Sequence, residues 1–486
     1  MILENLLKGI EITELAADPG MEITGVSYDS RKTQSGELFV AITGYETDGH
    51  LYIGKAISNG AAVILCERKP EQKIPYICVP STRKALAILG ANWYDHPADS
   101  MTMIGITGTN GKTSATTILK SVLEQTVGAK VGLIGTIRNM IGDTELYTER
   151  TTPESFEVQK LFAQMRDAGC THVVMEVSSH ALCLSRVDCV RFQVGAFTNL
   201  TEDHLDFHRT MEEYRKAKAM LFRRCDAGVF NLDDPYAGAM IADADCTVLT
   251  TGVHEAADLM AKHIELESDR VEMDVTEGGA LHHVSVGIPG GFTVYNVLTV
   301  LGCTKALGIP LADAAAALRN VSGVKGRIEV VPTPGKDYTV LIDYAHTPDA
   351  LDNVLTSVRT FCKGRLIALF GCGGDRDPIK RPIMGRIALE KADFVVFTSD
   401  NPRTEDPFRI LDDILVAAKD TKTPYHVEEN RRKAIRWAMD HAEKNDILVL
   451  AGKGHETYQT IGKTNVHLDE REEVAAHLLE MKERAQ

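Results

Sequence analysis

The chain has 486 residues, 44% of them apolar and 25% charged, a globular balance that excludes wholesale disorder and gives room for about three cores. Lysine and arginine number 53 against 68 aspartates and glutamates, a net charge of −15, which disfavours nucleic-acid binding and requires any phosphate to meet glycine loops, helix N-termini or bound metal. No run approaches the roughly 18 apolar residues of a membrane span, the first residues lack a signal-peptide pattern, and ten cysteines without a C-x-x-C pair fit reduced thiols, so a cytoplasmic protein without a membrane span is expected.

Up to about Pro97, short apolar runs alternate with turn residues, and 39–42 and 61–65 read as buried strands. A new pattern follows. The spacing predicts a strand over 101–107, a glycine loop, and a helix from Thr113 to about Leu123. Further strands are predicted at 131–134, 172–177, 194–198 and 228–231, with helical patterns between several of them. Such alternation implies a parallel sheet covered on both faces. A third unit begins near Pro332, with strands at 338–342, 365–370, 394–398 and 446–450. The expected fold is therefore α/β, in three parts. These are a smaller N-terminal α/β domain over 1–98, a central parallel-sheet domain over 99–331, and a Rossmann-like C-terminal domain over 332–486. Ligands on such open sheets sit beyond the carboxyl ends of the strands.

The loop Gly105-Ile106-Thr107-Gly108-Thr109-Asn110-Gly111-Lys112-Thr113 follows a strand and opens a helix. Its glycines permit tight backbone and expose N–H groups to phosphate. Lys112 can reach the outer phosphates, and Thr113 can give its hydroxyl to Mg²⁺. The loop predicts nucleotide triphosphate binding, but names no reaction. Glu176 ends the apolar run before Val177-Ser178-Ser179-His180, where a metal-binding carboxylate sits beside a phosphate loop. Five ionisable side chains then crowd seven residues, 202–208, directly after another buried strand. That is costly unless metal or substrate uses them. Nothing in the spacing decides which of them touches metal.

These motifs resemble those of the Mur ligases of peptidoglycan synthesis. The resemblance rests on Gly108 to Thr113, Glu176 to His180, Asn199-Leu200-Thr201-Glu202-Asp203-His204-Leu205-Asp206, Asp343-Tyr344-Ala345-His346-Thr347-Pro348 and Gly371-Cys372-Gly373-Gly374-Asp375-Arg376-Asp377. It continues through Asp400-Asn401-Pro402-Arg403 and Gly452-Lys453-Gly454-His455-Glu456, and includes Tyr28-Asp29-Ser30-Arg31. It covers nearly the whole chain. It implies the three-domain Mur architecture and an ATP-dependent ligase in which a substrate carboxylate becomes an acyl phosphate and an amine captures it as an amide. The form implied adds meso-2,6-diaminopimelate to UDP-N-acetylmuramoyl-L-alanyl-D-glutamate, a cytoplasmic step of cell-wall synthesis that bears on cell shape and division, carried out by a monomer.

The same resemblance distributes roles. ATP would contact Gly108, Thr109, Asn110, Gly111, Lys112, Thr113 and Ser114, with Asn296, Arg327, Asp343 and His346 completing its site. Mg²⁺ would be held by Thr113, Glu176 and His204, and by Lys218 as a carbamate; Lys112, Lys218, His204 and Glu176 form the catalytic set. CO₂ adds only to a neutral amine, so the Lys218 site must favour the uncharged form. Taken alone, Lys218 reads as a surface helix lysine. The UDP substrate would meet Ser30, Thr151, Thr152, Ser178 and Arg186, near segments around Thr43-Gly44 and Asp48-Gly49-His50.

Diaminopimelate would meet Arg376, Asp400, Asn401, Pro402, Arg403, Gly452 and Glu456, at three strand ends. Arg403 is expected to grip its second carboxylate, with Glu456 and Asn401 engaging the ammonium. Without the family, residues 400–403 read as a β-turn with a solvated arginine. A lysine-adding Mur ligase and a folylpolyglutamate-type ligase are alternatives of the same chemistry, disfavoured by Arg403 and by the uridine-side segment respectively. A nucleotide switch that makes no bond shares the phosphate loop but has no use for the acid–histidine cluster or Lys218.

Overall fold

The computed structural model describes residues 1–484 except 45, 46, 149, 322 and 420. The chain divides into two compact units: Met1–Asp258 with Thr299–Leu311, and Leu259–Leu298 with Ala312–Gln486. The first unit runs across the boundary expected at 98, and residues 259–298 and 312–331 of the expected central segment belong to the second.

The first unit holds two sheets. The smaller comprises β1 (Glu14–Ala16), β2 (Val26–Ser27), β3 (Leu38–Val40), β4 (Val63–Cys66) and β5 (Tyr76–Cys78), in the order β1-β5-β4-β3-β2. Only the edge strand β1 runs antiparallel. Strand β4 is buried at every position, as expected for an unbroken apolar run in a sheet covered on both faces. The helix Thr82–Trp93 begins where the Ser81 hydroxyl accepts the Lys84 N–H, and its Leu86 and Leu89 pack into the core of this sheet.

The larger sheet contains β6 (Thr102–Thr107), β7 (Val131–Ile134), β8 (Asn139–Ile141), β9 (Thr144–Leu146), β10 (His172–Glu176), β11 (Phe192–Phe197), β12 (Cys225–Asn231) and β13 (Thr247–Gly252). Their order is β9-β8-β7-β10-β6-β11-β12-β13. The β7, β10, β6, β11, β12 and β13 pairings are parallel, and β8 and β9 extend one side as an antiparallel ribbon. Because β6 lies between β10 and β11, with Glu176 level with Ile106 and Phe197 level with Thr107, three strand ends deliver their loops side by side.

The second unit contains an antiparallel meander, β14 (Leu259–Leu266), β15 (Val271–Glu277) and β16 (Ala280–Val286). It also holds a six-stranded sheet of β17 (Glu329–Val331), β18 (Thr339–Asp343), β19 (Leu366–Phe370), β20 (Phe394–Phe397), β21 (Tyr425–Val427) and β22 (Ile447–Ala451), ordered β17-β18-β22-β19-β20-β21. Only β17 is antiparallel. Leu341, Ala368, Phe370, Val395 and Val449 enter a core on one face, and their neighbours Val340, Ile342, Ile367, Leu369 and Val396 enter a core on the other. Both faces of a strand are thus apolar, which is why these segments read as continuous hydrophobic runs. A short hairpin, β23 (Tyr458–Ile461) and β24 (Thr464–His467), stands apart from this sheet. Among the described residues no helix is long and apolar enough to cross a membrane.

Candidate active site

The phosphate loop lies at the carboxyl end of β6 and opens the helix Lys112–Val127, with Gly111 at φ 84° as its cap. Its shape depends on Gly108: at φ +152°, a Cβ there would lie 1.9 Å from the Thr198 hydroxyl. The loop is clipped to the segment after β11. Thr109 N–H donates to the Asn199 carbonyl (2.8 Å), Asn110 N–H to Asn199 Oδ1 (2.9 Å), and the Thr198 hydroxyl to the Asn110 carbonyl (2.7 Å). Asn110 is exposed, and Thr113 and Ser114 are half-buried in the first helical turn.

Glu176, at the end of β10, is 1% exposed. Its Oε1 accepts the Thr113 hydroxyl (3.0 Å) and the Thr136 N–H (2.8 Å), and its Oε2 accepts the Thr136 hydroxyl (2.9 Å). A buried carboxylate fixed against the hydroxyl of a phosphate loop offers the hard oxygens Mg²⁺ prefers. Among the described residues no three His, Cys, Asp or Glu side chains form a ready-made metal cage. His204 sits at φ 54°, its Nε2 3.4 Å from Asp203 Oδ2 and its ring 5.0 Å from that of His180.

Lys218 lies on the helix Met211–Ala219, capped by the Thr210 hydroxyl, and is 1% exposed. Its Nζ donates to the Gly108 carbonyl at 2.7 Å and stands 4.4 Å over the Tyr214 ring. Lys112 Nζ donates to the same carbonyl at 2.8 Å and to the Thr109 carbonyl at 2.8 Å. Burial and the neighbouring Lys112 charge push the Lys218 amine well below the usual lysine range; Asp203 opposes this. Burial also lowers Lys112, with Glu176 and Asp203 opposing. The loop therefore holds two amines on one oxygen, where burial and the Lys112 charge loosen the hold of Lys218 on its proton. The lysine read alone as a surface residue is fully enclosed.

The expected ATP residues Asn296, Arg327, Asp343 and His346 belong to the second unit. Asn296 is buried on the helix Gly291–Ala306. Asp343 accepts the Ile328 N–H (2.9 Å) and the Ala345 N–H (2.8 Å), one on each oxygen, so it braces two loops instead of presenting a free carboxylate. Burial raises its pKa. Arg327 stacks over Tyr344 at 5.6 Å, and His346 Nδ1 lies 2.8 Å from the Tyr344 carbonyl.

Residues expected at the UDP end gather around β10. Thr152 donates its hydroxyl to the Glu176 carbonyl (2.8 Å), Thr151 accepts from Thr136 (3.0 Å), and the Ser178 hydroxyl accepts the Ala181 N–H (3.1 Å). Arg186 donates to the Thr152 carbonyl (3.0 Å) and pairs with Glu154. Arg83 and Arg150 approach the same carboxylate at 3.2 and 3.8 Å, so three cations surround one buried anion. Glu154 and Arg150 line a cavity of about 790 Å³ that also takes Ser27, Tyr28, Asp29 and Arg31 from the N-terminal sheet. Its lining sets the cations Arg31, Lys32, Arg150 and Lys160 against the acids Asp29, Glu37, Glu154 and Glu157, so its formal charge is balanced. Ser30 is not among its lining residues: it is buried, and its backbone carbonyl accepts from Asn59 Nδ2 at 2.7 Å. His50 is tied to Asp48 and to the Glu67 N–H. Arg83, Arg150 and Glu154 belong to no motif, and no sequence signal marks them.

The third cluster lies beyond β19, β20 and β22, adjacent in the order β22-β19-β20. The turn after β20 packs so closely on the glycine loop after β19 that a Cβ on Gly374 would lie 1.9 Å from the Pro402 carbonyl. Arg403, at φ 51°, donates Nη1 to the Gly374 carbonyl (2.8 Å) and stays half-buried. Arg376 is exposed, with Nη1 on its own neighbour's carbonyl, that of Asp375, at 3.1 Å. Asp400, Asn401 and Glu456 all contact Lys453, which the sequence reading does not single out. Gly452 places its backbone against Asp400, a Cβ there meeting Oδ2 at 3.2 Å. Asn401 Oδ1 accepts both Lys453 Nζ (2.9 Å) and the Thr460 N–H (2.8 Å), while its Nδ2 donates to Glu456 (3.0 Å). With both lone pairs of that oxygen engaged, the Asn401 side chain keeps one further hydrogen on Nδ2 to donate.

Three family models match the chain: "Mur ligase family, catalytic domain" over residues 22–94, "Mur ligase middle domain" over 106–304 and "Mur ligase, glutamate ligase domain" over 326–454. A relative from Caldanaerobacter subterraneus subsp. tengcongensis, named UDP-N-acetylmuramoyl-L-alanyl-D-glutamate–2,6-diaminopimelate ligase, is 48% identical over 483 residues, covering 99% of each chain. One from Clostridium acetobutylicum, named as ligase 1 of the same activity, is 46% identical over 99% of this chain and 100% of its own. A solved structure of a ligase of that name superposes with a TM-score of 0.76 at 30% identity, covering 99% of both chains. The folylpolyglutamate synthase of Mycobacterium tuberculosis, at 18% identity and a TM-score of 0.57 over 76% of this chain, shares the fold alone. With its three-part α/β architecture and matches along nearly its whole length, the chain belongs to the Mur ligase family.

Proposed function

We propose that the chain is an ATP-dependent ligase joining meso-2,6-diaminopimelate to UDP-N-acetylmuramoyl-L-alanyl-D-glutamate, a cytoplasmic step of peptidoglycan synthesis. We further propose that it acts as a monomer, with the working segments 1–98, 99–331 and 332–486. The observation that carries the chemistry is the pair Lys112 and Lys218 on the Gly108 carbonyl beside Glu176 and Thr113. A phosphate loop alone binds nucleotide; a buried amine next to it, its charged form disfavoured, is a group that CO₂ converts from its neutral form to a carbamate, with loss of one proton. The amine's identity rests on Arg403 and Glu456 and on the names of the full-length relatives.

In this reading the N–H groups from Gly108 to Ser114 and Lys112 hold the ATP phosphates, while Asn296, Arg327, Asp343 and His346 serve the rest of the nucleotide. Thr113, Glu176, His204 and carbamylated Lys218 would hold Mg²⁺, which when bound screens the triphosphate and the approaching carboxylate from one another. Thr151, Thr152, Ser178 and Arg186, with Ser30 bracing the nucleotide-side turn, orient the UDP substrate. Its terminal carboxylate oxygen attacks the γ-phosphorus, the bond to ADP breaks, and an acyl phosphate forms. Lys112 offsets the charge that accumulates on the phosphoryl oxygens. The neutral amine of diaminopimelate then attacks the acyl carbon, and phosphate leaves with the C–O electron pair and takes up the proton the nitrogen sheds. Arg403 holds the far carboxylate and Glu456 the far ammonium, with Arg376, Asp400, Pro402 and Gly452 shaping the pocket. Purified protein incubated with ATP, Mg²⁺, the UDP-dipeptide and diaminopimelate should release phosphate only when all are present; release that ignores the amine would sink the proposal.

A further inference from the structure

Lys453, just after β22, is one of the largest fully buried side chains, at 0% exposure. Its three N–H bonds meet three acceptors: Asp400 Oδ1 (3.2 Å), Asn401 Oδ1 (2.9 Å) and Glu456 Oε2 (3.2 Å). The Tyr458 ring lies 5.9 Å from the ammonium. One cation against two carboxylates leaves this floor with a formal charge of −1. Behind it, the buried pair Arg431 and Glu470 adds no net charge and ties down both strand ends, Arg431 donating to the Ser399 carbonyl (3.3 Å) and the Ala451 carbonyl (2.9 Å).

We propose that Lys453 is the positioning residue that fixes the amide of Asn401 and the carboxylate of Glu456, and so makes the pocket read a carboxylate beside an ammonium. An asparagine amide can be turned end for end at almost no cost in shape, so its orientation must be set by its partners. Lys453 Nζ and the Thr460 N–H are both donors with no acceptor capacity. Together they force Oδ1 inward and Nδ2 outward. A flipped amide would set its NH₂ against an ammonium and a backbone N–H and leave both unpaired, a large penalty in a buried site. With Nδ2 fixed, one of its hydrogens serves Glu456 and the other is available only to an acceptor. Asn401 thereby supplements the remaining donors of Arg403, and Glu456, held by Lys453 and Nδ2 on Oε2, keeps Oε1 for an ammonium. The hairpin strand β23 takes part, since Thr460 gives the second donor and Gln459 holds the Asp400 carbonyl at 2.7 Å.

This inference rests on the amine-pocket reading above, and the test separates the two. The full-length Lys453→Met and Asn401→Asp variants are compared with the wild type by phosphate release, each substrate varied in turn, alongside thermal melting. Lys453→Met removes the donor that locks the amide. Asn401→Asp keeps an oxygen for Lys453 and Thr460 but replaces the outward donor with an acceptor. Both are expected to raise KM for diaminopimelate roughly 10- to 100-fold, the factor for one lost charge-assisted hydrogen bond. KM for ATP and for the UDP-dipeptide should stay within about twofold, and the preference for diaminopimelate over lysine should fall. A diaminopimelate KM unchanged in either folded variant, or all three KM values rising together, would overturn the proposal. If Lys453→Met does not fold, Asn401→Asp decides by the same criterion. A wild type that turns over without using diaminopimelate would instead remove the amine-pocket reading itself.

Discussion

Replacing Lys218 by methionine separates a chemical role from a packing one. Lys218 and Lys112 nitrogens lie 2.7 and 2.8 Å from one oxygen, so they are held within about 5.5 Å of each other. If both carried charge, their repulsion at an effective dielectric of about 20 would be roughly 3 kcal/mol. The hydrogen bond Lys218 makes is worth about 1 kcal/mol net, and the Gly108 carbonyl keeps Lys112 when it is lost. Methionine fills nearly the same volume without the ammonium. The folded lysine has its pKa depressed, so on unfolding it takes up a proton, and at neutral pH that uptake favours the unfolded chain. Stability of the wild type should therefore rise with pH up to the ordinary lysine range. Lys218→Met should be as stable as the wild type or up to about 2 kcal/mol more so at pH 7, with the gap closing towards pH 10. Urea melts in CO₂-free buffer at both pH values measure this, and phosphate release measures activity, which should vanish and return in part with a small carboxylic acid. A variant destabilised by more than about 1 kcal/mol at pH 7, or one that retains turnover, would refute the reasoning.

Three further outcomes are expected. Arg403→Ala should lose about 10²- to 10⁴-fold in kcat/KM for diaminopimelate while its weak use of lysine changes little, seen by running both amines in parallel. Thr113→Ala removes the hydroxyl on Glu176 and should shift the Mg²⁺ titration of activity upward by roughly tenfold or more, with melting unchanged. His208, buried beside Ser179 and pushed down to about 4 by burial and the neighbouring His180, takes up its proton far more readily unfolded than folded. Stability should fall as pH drops from about 6.5 towards 4, and that slope should flatten in His208→Gln.

The parallel strands were legible because both faces of each are apolar: the runs at 131–134 and 394–398 contain the observed Val131–Ile134 and Phe394–Phe397. The meander β14 to β16 was not, since β15 alternates buried and half-buried residues and carries Glu272 and Asp274 among its valines. The phosphate loop announces itself by spacing, because glycine and lysine must fall at fixed offsets to enclose phosphate. Lys453 does not: a lysine between glycines reads as exposed until folding brings Asp400, Asn401 and Glu456 around it from about 50 residues away and from three residues on. Likewise Arg83 meets Glu154 only through tertiary packing, and the amide of Asn401 acquires its orientation from a hairpin that follows it by 59 residues.

The most direct measurement is the mass of the product. Incubated with ATP, Mg²⁺, UDP-N-acetylmuramoyl-L-alanyl-D-glutamate and meso-diaminopimelate, the protein should convert the UDP-dipeptide to a species heavier by one diaminopimelate less one water, with one ADP and one phosphate formed per bond. A UDP-dipeptide of unchanged mass, with ATP intact, would contradict the account.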